Sequence, residues 1–342
     1  MKKLLIIGLM LFAGLAATGC GEEEKQESKG LEDLRVALAL TGTINDGGWN
    51  QRSYEGLVAI AAKYDAETAY NENTQAAQYL QIIRTYAKDG YNVIIANGSQ
   101  FTDAVKEVAA EYPDTFFLIT SSDRTTKLGN GSNVAGVIAD GVEQGFLQGV
   151  ASAYIAQEIG AKKIGGIGGI EIPAFKTIIE GFVIGANYAD KSIETVTAFT
   201  GSLDDANKMK EQSITFIQQG ADIILSYANA SSRGGFEATK DLGKISVGAN
   251  LGNATFAQYK NNVACSANAS LAFALLDVVG YIYEGTFEGD NYIFGIADDV
   301  ITMVYNADMA VAKKIQPKME KVIEDVKSGK LDIDKLYSES KK

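Results

Sequence analysis

The chain has 342 residues, 46% of them hydrophobic, with 31 basic against 43 acidic side chains and a formal net charge of −12. That balance argues against nucleic acid as a partner, because phosphate binding needs clustered Lys and Arg. Histidine is absent and only two cysteines occur, which excludes histidine-dependent catalytic triads, Cys–His dyads and His-based zinc sites.

At the start, Lys2 and Lys3 precede an apolar run over residues 4–17 and then Thr18-Gly19-Cys20. A basic start, a short apolar stretch and small residues before a cut describe a secretory signal over residues 1–19. The run is shorter than the roughly 20 residues a membrane-spanning helix needs. Cys20 follows small residues and precedes the polar stretch 21–30, which looks like a bacterial lipobox, although Ala17 stands where Leu is commoner. The lipobox reading expects diacylated Cys20 as the lipid attachment and residues 20–33 as a flexible tether; the alternative is a soluble exported protein cut near the same place. Cys265 lies in an apolar strand-like segment and reads as a buried, inert thiol.

After the tether, strand-length apolar runs alternate with helical patterns. Arg35–Leu40 reads as a strand, and Tyr54, Leu57, Val58 and Ala61 follow at the spacing of one helix face. Further strands are expected at 92–96, 116–120, 162–167, 194–199, 222–227 and 245–249, with helices near 104–110, 173–188, 205–219 and 232–242. Such alternation implies parallel sheets with helices on both faces, and the strand count suits two doubly wound sheets better than one. No proline-rich linker divides the chain, which suits several direct crossings between two lobes. Ligands of such sheets bind beyond the carboxyl ends of the strands.

The loops at those ends therefore carry the candidate site. After the first strand comes Thr41-Gly42-Thr43-Ile44-Asn45-Asp46-Gly47-Gly48-Trp49-Asn50-Gln51, which holds the only tryptophan. Trp49 reads either as a core side chain entering from a loop or as an aromatic plate for a flat ligand. Asp46 and Asn50 read as groups for the ligand's polar edge, with helix capping as the competing role for Asp46. Later loops contribute Asn97, Ser121, Tyr227 and Asn250. They are rich in Ser, Asn, Gly and aromatics and nearly free of charge, which suits a neutral, planar, polar ligand. Gly165-Gly166-Ile167-Gly168-Gly169 lacks the spacing of a dinucleotide loop and reads as a close-packed turn. Asp298 and Asp299 form the one carboxylate pair worth weighing for acid–base chemistry, and neighbours in an extended segment point to opposite faces. No catalytic residue, metal site or cofactor is expected.

Asp46-Gly47-Gly48-Trp49-Asn50-Gln51 with Tyr54-Glu55-Gly56 resembles the Asp-Lys-Ser-Phe-Asn-Gln…Glu-Gly signature of the basic membrane protein family of substrate-binding lipoproteins, which includes purine nucleoside receptors of ABC importers. Asn97-Gly98-Ser99-Gln100-Phe101-Thr102, Glu143-Gln144-Gly145-Phe146-Leu147-Gln148-Gly149 and Gln219-Gly220-Ala221-Asp222 are similar to further family segments, and the resemblance runs over residues 35–330. It implies a type I periplasmic-binding-protein fold: two doubly wound parallel-sheet lobes joined by a hinge. The expected division is 34–139 plus 263–290 for the N-terminal lobe and 140–262 plus 291–333 for the C-terminal lobe. The implied partners are a purine base or nucleoside, an ABC permease and, through the lipid anchor, the outer face of the cell membrane or the periplasm; the protein is expected as a monomer. Ser121, the run Ala249-Asn250-Leu251-Gly252 and Ser266-Ala267-Asn268-Ala269 depart from charged positions that grip ribose in the family's nucleoside binders. Sugar recognition is then rebuilt or absent. A sugar, flavin or signalling molecule as ligand, or docking on a membrane kinase, are the rival readings.

Overall fold

The central strands are covered on both sides. In the computed structural model, which describes residue 31, residues 33–46 and residues 48–342, strand β1 (Arg35–Leu40) has five consecutive buried residues. A near-continuous apolar strand needs helices on both faces, and the chain supplies them in turn. The signal segment, Cys20 and most of the tether lie outside the described residues.

The first lobe continues with α1 (Trp49–Tyr64), β2 (Glu67–Asn71), α2 (Tyr79–Lys88), β3 (Val93–Asn97), α3 (Thr102–Glu111), β4 (Phe116–Ser121) and β5 (Val134–Ala139). The second is built from α4 (Gly141–Ile159), β6 (Lys163–Gly168), α5 (Pro173–Ala189), β7 (Glu194–Phe199), α6 (Ala206–Gln218), β8 (Ile223–Tyr227), α7 (Ser232–Asp241), β9 (Ile245–Ala249), α8 (Asn253–Gln258) and β10 (Val263–Ala269). Then α9 (Leu271–Glu284) and β11 (Asn291–Phe294) return to the first lobe, and β12 (Ile301–Tyr305), α10 (Ala310–Lys327) and α11 (Ile333–Ser340) finish the second. The two six-stranded sheets run β11-β5-β4-β3-β1-β2 and β12-β10-β9-β8-β6-β7. All pairings are parallel except β10 with β12.

The chain crosses between lobes at Asp140, at Ser270 and through residues 295–300. This corrects the expected lobe limits. Residues 263–269 are β10, which pairs with β9 in the second sheet, and residues 291–294 are β11, which pairs with β5 in the first. A buried strand cannot leave its sheet midway without stranding backbone hydrogen bonds, so the crossings fall in the loops that follow strands.

Two other expectations are corrected by packing. Helix α1 buries Ser53, Gly56, Leu57 and Ile60, while Val58 is 51% exposed. Gly56 sets this phase, because a Cβ there would sit 3.1 Å from Ala272 Cα and 3.1 Å from Leu275 Cδ1 of α9. The glycine-rich run is mostly strand β6 itself, not a turn. Cβ atoms on Gly165 and Gly166 would press into the rings of Phe216 at 2.7 Å and Phe182 at 2.8 Å. Cys265 is fully buried and unpaired, and burial pushes its thiol up to about 12.

At the crossings, the Asp140 carboxylate caps α4 by accepting from Val142 N at 2.9 Å and Glu143 N at 3.3 Å, and pairs with Arg124 at 2.6 Å. Arg124 also pairs with Asp334 of α11 at 2.6 Å. Glu143 accepts from Ile296 N of the third crossing at 2.6 Å, and Gly295 leaves its carboxylate room that a side chain would fill. Burial pushes the Glu143 carboxyl up to about 7. Asp298 accepts from Gly295 N at 2.7 Å, and Asp299 pairs with Lys327, so the two carboxylates serve separate structural contacts.

Candidate functional site

Because the strands of each sheet are parallel to one another, apart from β12, their carboxyl ends gather at one edge of each lobe, and the two edges face each other across a cleft of about 850 Å³. The first lobe contributes the loop after β1 and the turns after β3 and β4. The second contributes the turns after β6, β8 and β9, the starts of α5 and α7, and part of α8.

On the first lobe the floor is a chain of polar groups that runs from the exposed Asp46 to the buried Asn50, Asn97, Ser53 and Thr120. The Asp46 carboxylate accepts from Gly48 N at 2.8 Å, Asn50 N at 3.1 Å, Gln51 N at 3.1 Å and Asn50 Nδ2 at 2.8 Å. It therefore supplies the cap that α1 needs for its first N–H groups. Asn50 Oδ1 accepts from Gly42 N at 3.3 Å and Asn97 Nδ2 at 3.1 Å. Asn97 Oδ1 accepts from Ser53 Oγ at 2.6 Å and Thr120 Oγ1 at 2.8 Å. This network ties α1, β3 and β4 to the loop after β1, and satisfied buried networks of this kind rigidify what they join.

Trp49 sits at the first turn of α1. It is half-buried, packs against the main hydrophobic core and borders the cleft. The two readings of this side chain are thus both present: one part anchors the helix and the rest is open to a ligand. Tyr79 lines the same wall, its ring 4.1 Å from that of Phe101.

On the second lobe Tyr227 OH donates to Gln144 Oε1 at 3.2 Å, while Gln144 Nε2 donates to Ala267 O at 2.8 Å and Asn250 Oδ1 at 3.3 Å. Asn250 Oδ1 also accepts from Ala269 N at 2.7 Å. Burial holds the Tyr227 phenol protonated, far above its ordinary range. Phe175 meets the Tyr227 ring edge-on at 5.6 Å. Ser266, where the resemblance places a ribose contact, and its neighbour Asn268 instead pin the loop after β9: Asn268 Oδ1 accepts from Leu251 N at 3.0 Å and Nδ2 donates to Leu251 O at 2.9 Å.

The structure brings Trp49, Asn50, Asp46, Ser121, Tyr227 and Asn250 to the lining of one cleft. Asn97 is the exception. It is fully buried behind Asn50 and borders no part of the cleft, so it acts through its neighbour. Ser121 Oγ is engaged by Asp123 N at 3.0 Å. Residues not singled out from the sequence also line the cleft: Tyr79, Gln100, Phe175, Arg233 and Tyr259. The start of a helix beyond a strand end was the available signal for Phe175 and Arg233; Tyr79 begins a helix whose pattern marks it only as amphipathic, and Tyr259 is the residue that follows α8. Among the described residues no group of acidic or cysteine side chains could hold a metal ion.

Residues 34–332 match the family model described as ABC transporter substrate-binding protein, PnrA-like. Basic membrane protein A1 of Borrelia garinii is 27% identical over 335 residues, covering 96% of this chain and 94% of that protein. The ABC transporter nucleoside-binding protein BmpA of Lactococcus lactis is 24% identical over 249 residues, 70% of this chain and 69% of that protein. Among solved structures, an ABC transporter solute-binding protein from Aeropyrum pernix superposes with a TM-score of 0.72 at 18% identity, covering 87% of this chain and 92% of that one. At that identity the likeness concerns the fold, a two-lobed α/β arrangement with the cleft between the lobes.

Proposed function

The chain belongs to the family of PnrA-like ABC transporter substrate-binding proteins, and from that premise we propose that its cleft captures a purine base or nucleoside and presents it to a membrane permease. The observation that carries this reading is the cleft's lining. An indole at the start of α1 stands beside amide and hydroxyl groups, and the charged side chains among the described lining residues are Asp46, Asp204 and Arg233. Asp46 is already engaged by four N–H donors. A flat heterocycle with a polar rim matches such a surface, because stacking contributes about 1–3 kcal/mol per base and the amides read its edge. The nucleoside-binding relative supports the same class of ligand.

Binding proceeds by closure of the lobes about the three crossings, which buries the ligand and expels water. The protein does no chemistry on its ligand. We further propose that it is exported and held at the membrane through acylated Cys20; relatives from Pyrococcus abyssi and Pyrococcus horikoshii bear lipoprotein names.

Native mass spectrometry of protein isolated from membranes, followed by calorimetry with purine bases and their nucleosides, tests the proposal. The expected result is low-micromolar or tighter binding of at least one purine and an acyl mass on the mature N-terminal cysteine. Failure of every purine to bind below high micromolar would remove the ligand assignment, and an unmodified mature chain would remove the anchor.

A further inference from the structure

The purine reading leaves open which edge the cleft prefers, and the hydrogen bonding around it is one-sided. The strongest acceptors near the floor are already filled. Asp46 receives four N–H groups, Asn50 Oδ1 receives Gly42 N and Asn97 Nδ2, and Asn250 Oδ1 receives Gln144 Nε2 and Ala269 N. A carbonyl-type oxygen has two lone pairs, so neither amide oxygen retains capacity for an amino group of a ligand. Donor capacity remains. Asn50 Nδ2 uses one of its two hydrogens on Asp46.

Arginine usage points the same way. Arg35 pairs with Glu67, Arg52 with Glu55, Arg84 with Glu107 and Glu111, and Arg124 with Asp140 and Asp334. Arg233 is the arginine left over. Its guanidinium makes no hydrogen bond or ion pair among the described residues, and it lines the cleft from the first turn of α7. A guanidinium presents five N–H donors in a planar fork and accepts nothing. An unpaired one on the wall of a cleft whose other charged side chains are Asp204 and the already engaged Asp46 matches a ligand oxygen.

We propose that this cleft selects purines carrying an exocyclic oxygen at C6 over those carrying an amino group at C6, with Arg233 donating to that oxygen. The inference rests on the purine reading and narrows it to oxopurines such as hypoxanthine, guanine and xanthine. Asp204, the lining carboxylate left free of the N–H donors that fill Asp46, is the acceptor that would favour the opposite preference.

The test is calorimetry of the full chain with hypoxanthine, guanine, xanthine and adenine, and with inosine, adenosine and inosine monophosphate, on the unaltered protein and on Arg233→Gln. The expected result is that the best oxopurine binds at least tenfold tighter than adenine, and that Arg233→Gln brings this ratio to within about threefold. Reading a ratio cancels any general loss of affinity in the variant. Adenine binding as tightly as the oxopurines, or more tightly, overturns the inference while leaving the purine assignment intact. A ratio unchanged in Arg233→Gln overturns the role of Arg233. Inosine monophosphate binding tighter than inosine overturns it as well, by giving the guanidinium a phosphate to read. If no purine binds at all, it is the broader assignment that fails.

Discussion

At the scale of single residues, the site shows how one side chain serves two purposes. Trp49 packs against the hydrophobic core and borders the cleft. Removing the indole should therefore act on both. Trp49→Ala is expected to weaken ligand binding at least tenfold and to lower the stability of the empty protein by about 1–2 kcal/mol, less than the 3–5 kcal/mol of a fully buried Trp→Ala. Trp49→Phe keeps a ring and should hold affinity within about threefold. Calorimetry and thermal unfolding read the two effects separately; lost stability with full affinity would reduce Trp49 to a core residue. Asp46 and Asn50 carry a similar lesson. They border the cleft, yet most of their hydrogen-bonding capacity holds α1 and the loop in place. The loops after β1, β4, β8 and β9 were legible as the lining of a cleft because parallel sheets gather their strand ends at one edge. That Asn97 lies behind Asn50 was not legible, since loop sequence says nothing about which of two neighbouring amides faces solvent.

At the scale of elements, the close contact between α4 and α5 is made by glycines on both helices. A Cβ on Gly145 would overlap Ile178 O, one on Gly149 would overlap Phe182 O, and Gly181 and Gly185 meet Val142 O and Phe146 O in the same way. Gly→Ala inside a helix ordinarily stabilises by up to about 1 kcal/mol. Here backbone oxygen occupies the space, so overpacking wins. Gly145→Ala should lose about 2–3 kcal/mol in denaturant unfolding. Gly280→Ala in α9, whose nearest neighbour is the flexible Tyr64 hydroxyl at 2.9 Å, should be close to neutral. Equal effects at the two positions would contradict this account. Buried strands such as β1 and β9 were readable from continuous apolar runs, and α5 and α7 from their periodicity. Strands β2, β5, β11 and β12 were not picked out: β2, β11 and β12 are sheet edges with exposed or half-covered residues that carry little hydrophobic signal, whereas β5 is buried throughout and its apolar run was passed over. The phase of α1 escapes the apolar pattern for a related reason: Gly56 counts as nothing in such a pattern, yet it is where α9 comes closest.

At the scale of the whole molecule, the crossings gather a buried acidic cluster. Glu143 faces Asp140, Arg124 and Asp334, and accepts from Ile296 N. Burial raises its carboxyl to about 7, so the folded protein keeps a proton there that the unfolded chain has released. That contribution is full below the usual carboxylate range and is lost as pH rises through about 7. Every tenfold gain in proton affinity on folding is worth about 1.4 kcal/mol, which sets the loss at up to about 3 kcal/mol. Glu143→Gln keeps the acceptor for Ile296 N and removes the titration. The variant should match the unaltered protein near pH 4.5 and be the more stable of the two at pH 8, in denaturant unfolding followed across that range. Parallel pH curves for the two proteins would show that Glu143 does not titrate between the folded and unfolded states.

The placement of β11 has a consequence for synthesis. The outer edge of the first sheet is completed by residues 291–294, which the ribosome delivers only after every strand of the second sheet except β12. Until then β5 offers unpaired backbone groups along one side, and the second sheet still waits for residues 301–305. A nascent chain of this kind therefore completes neither sheet until most of it has been made.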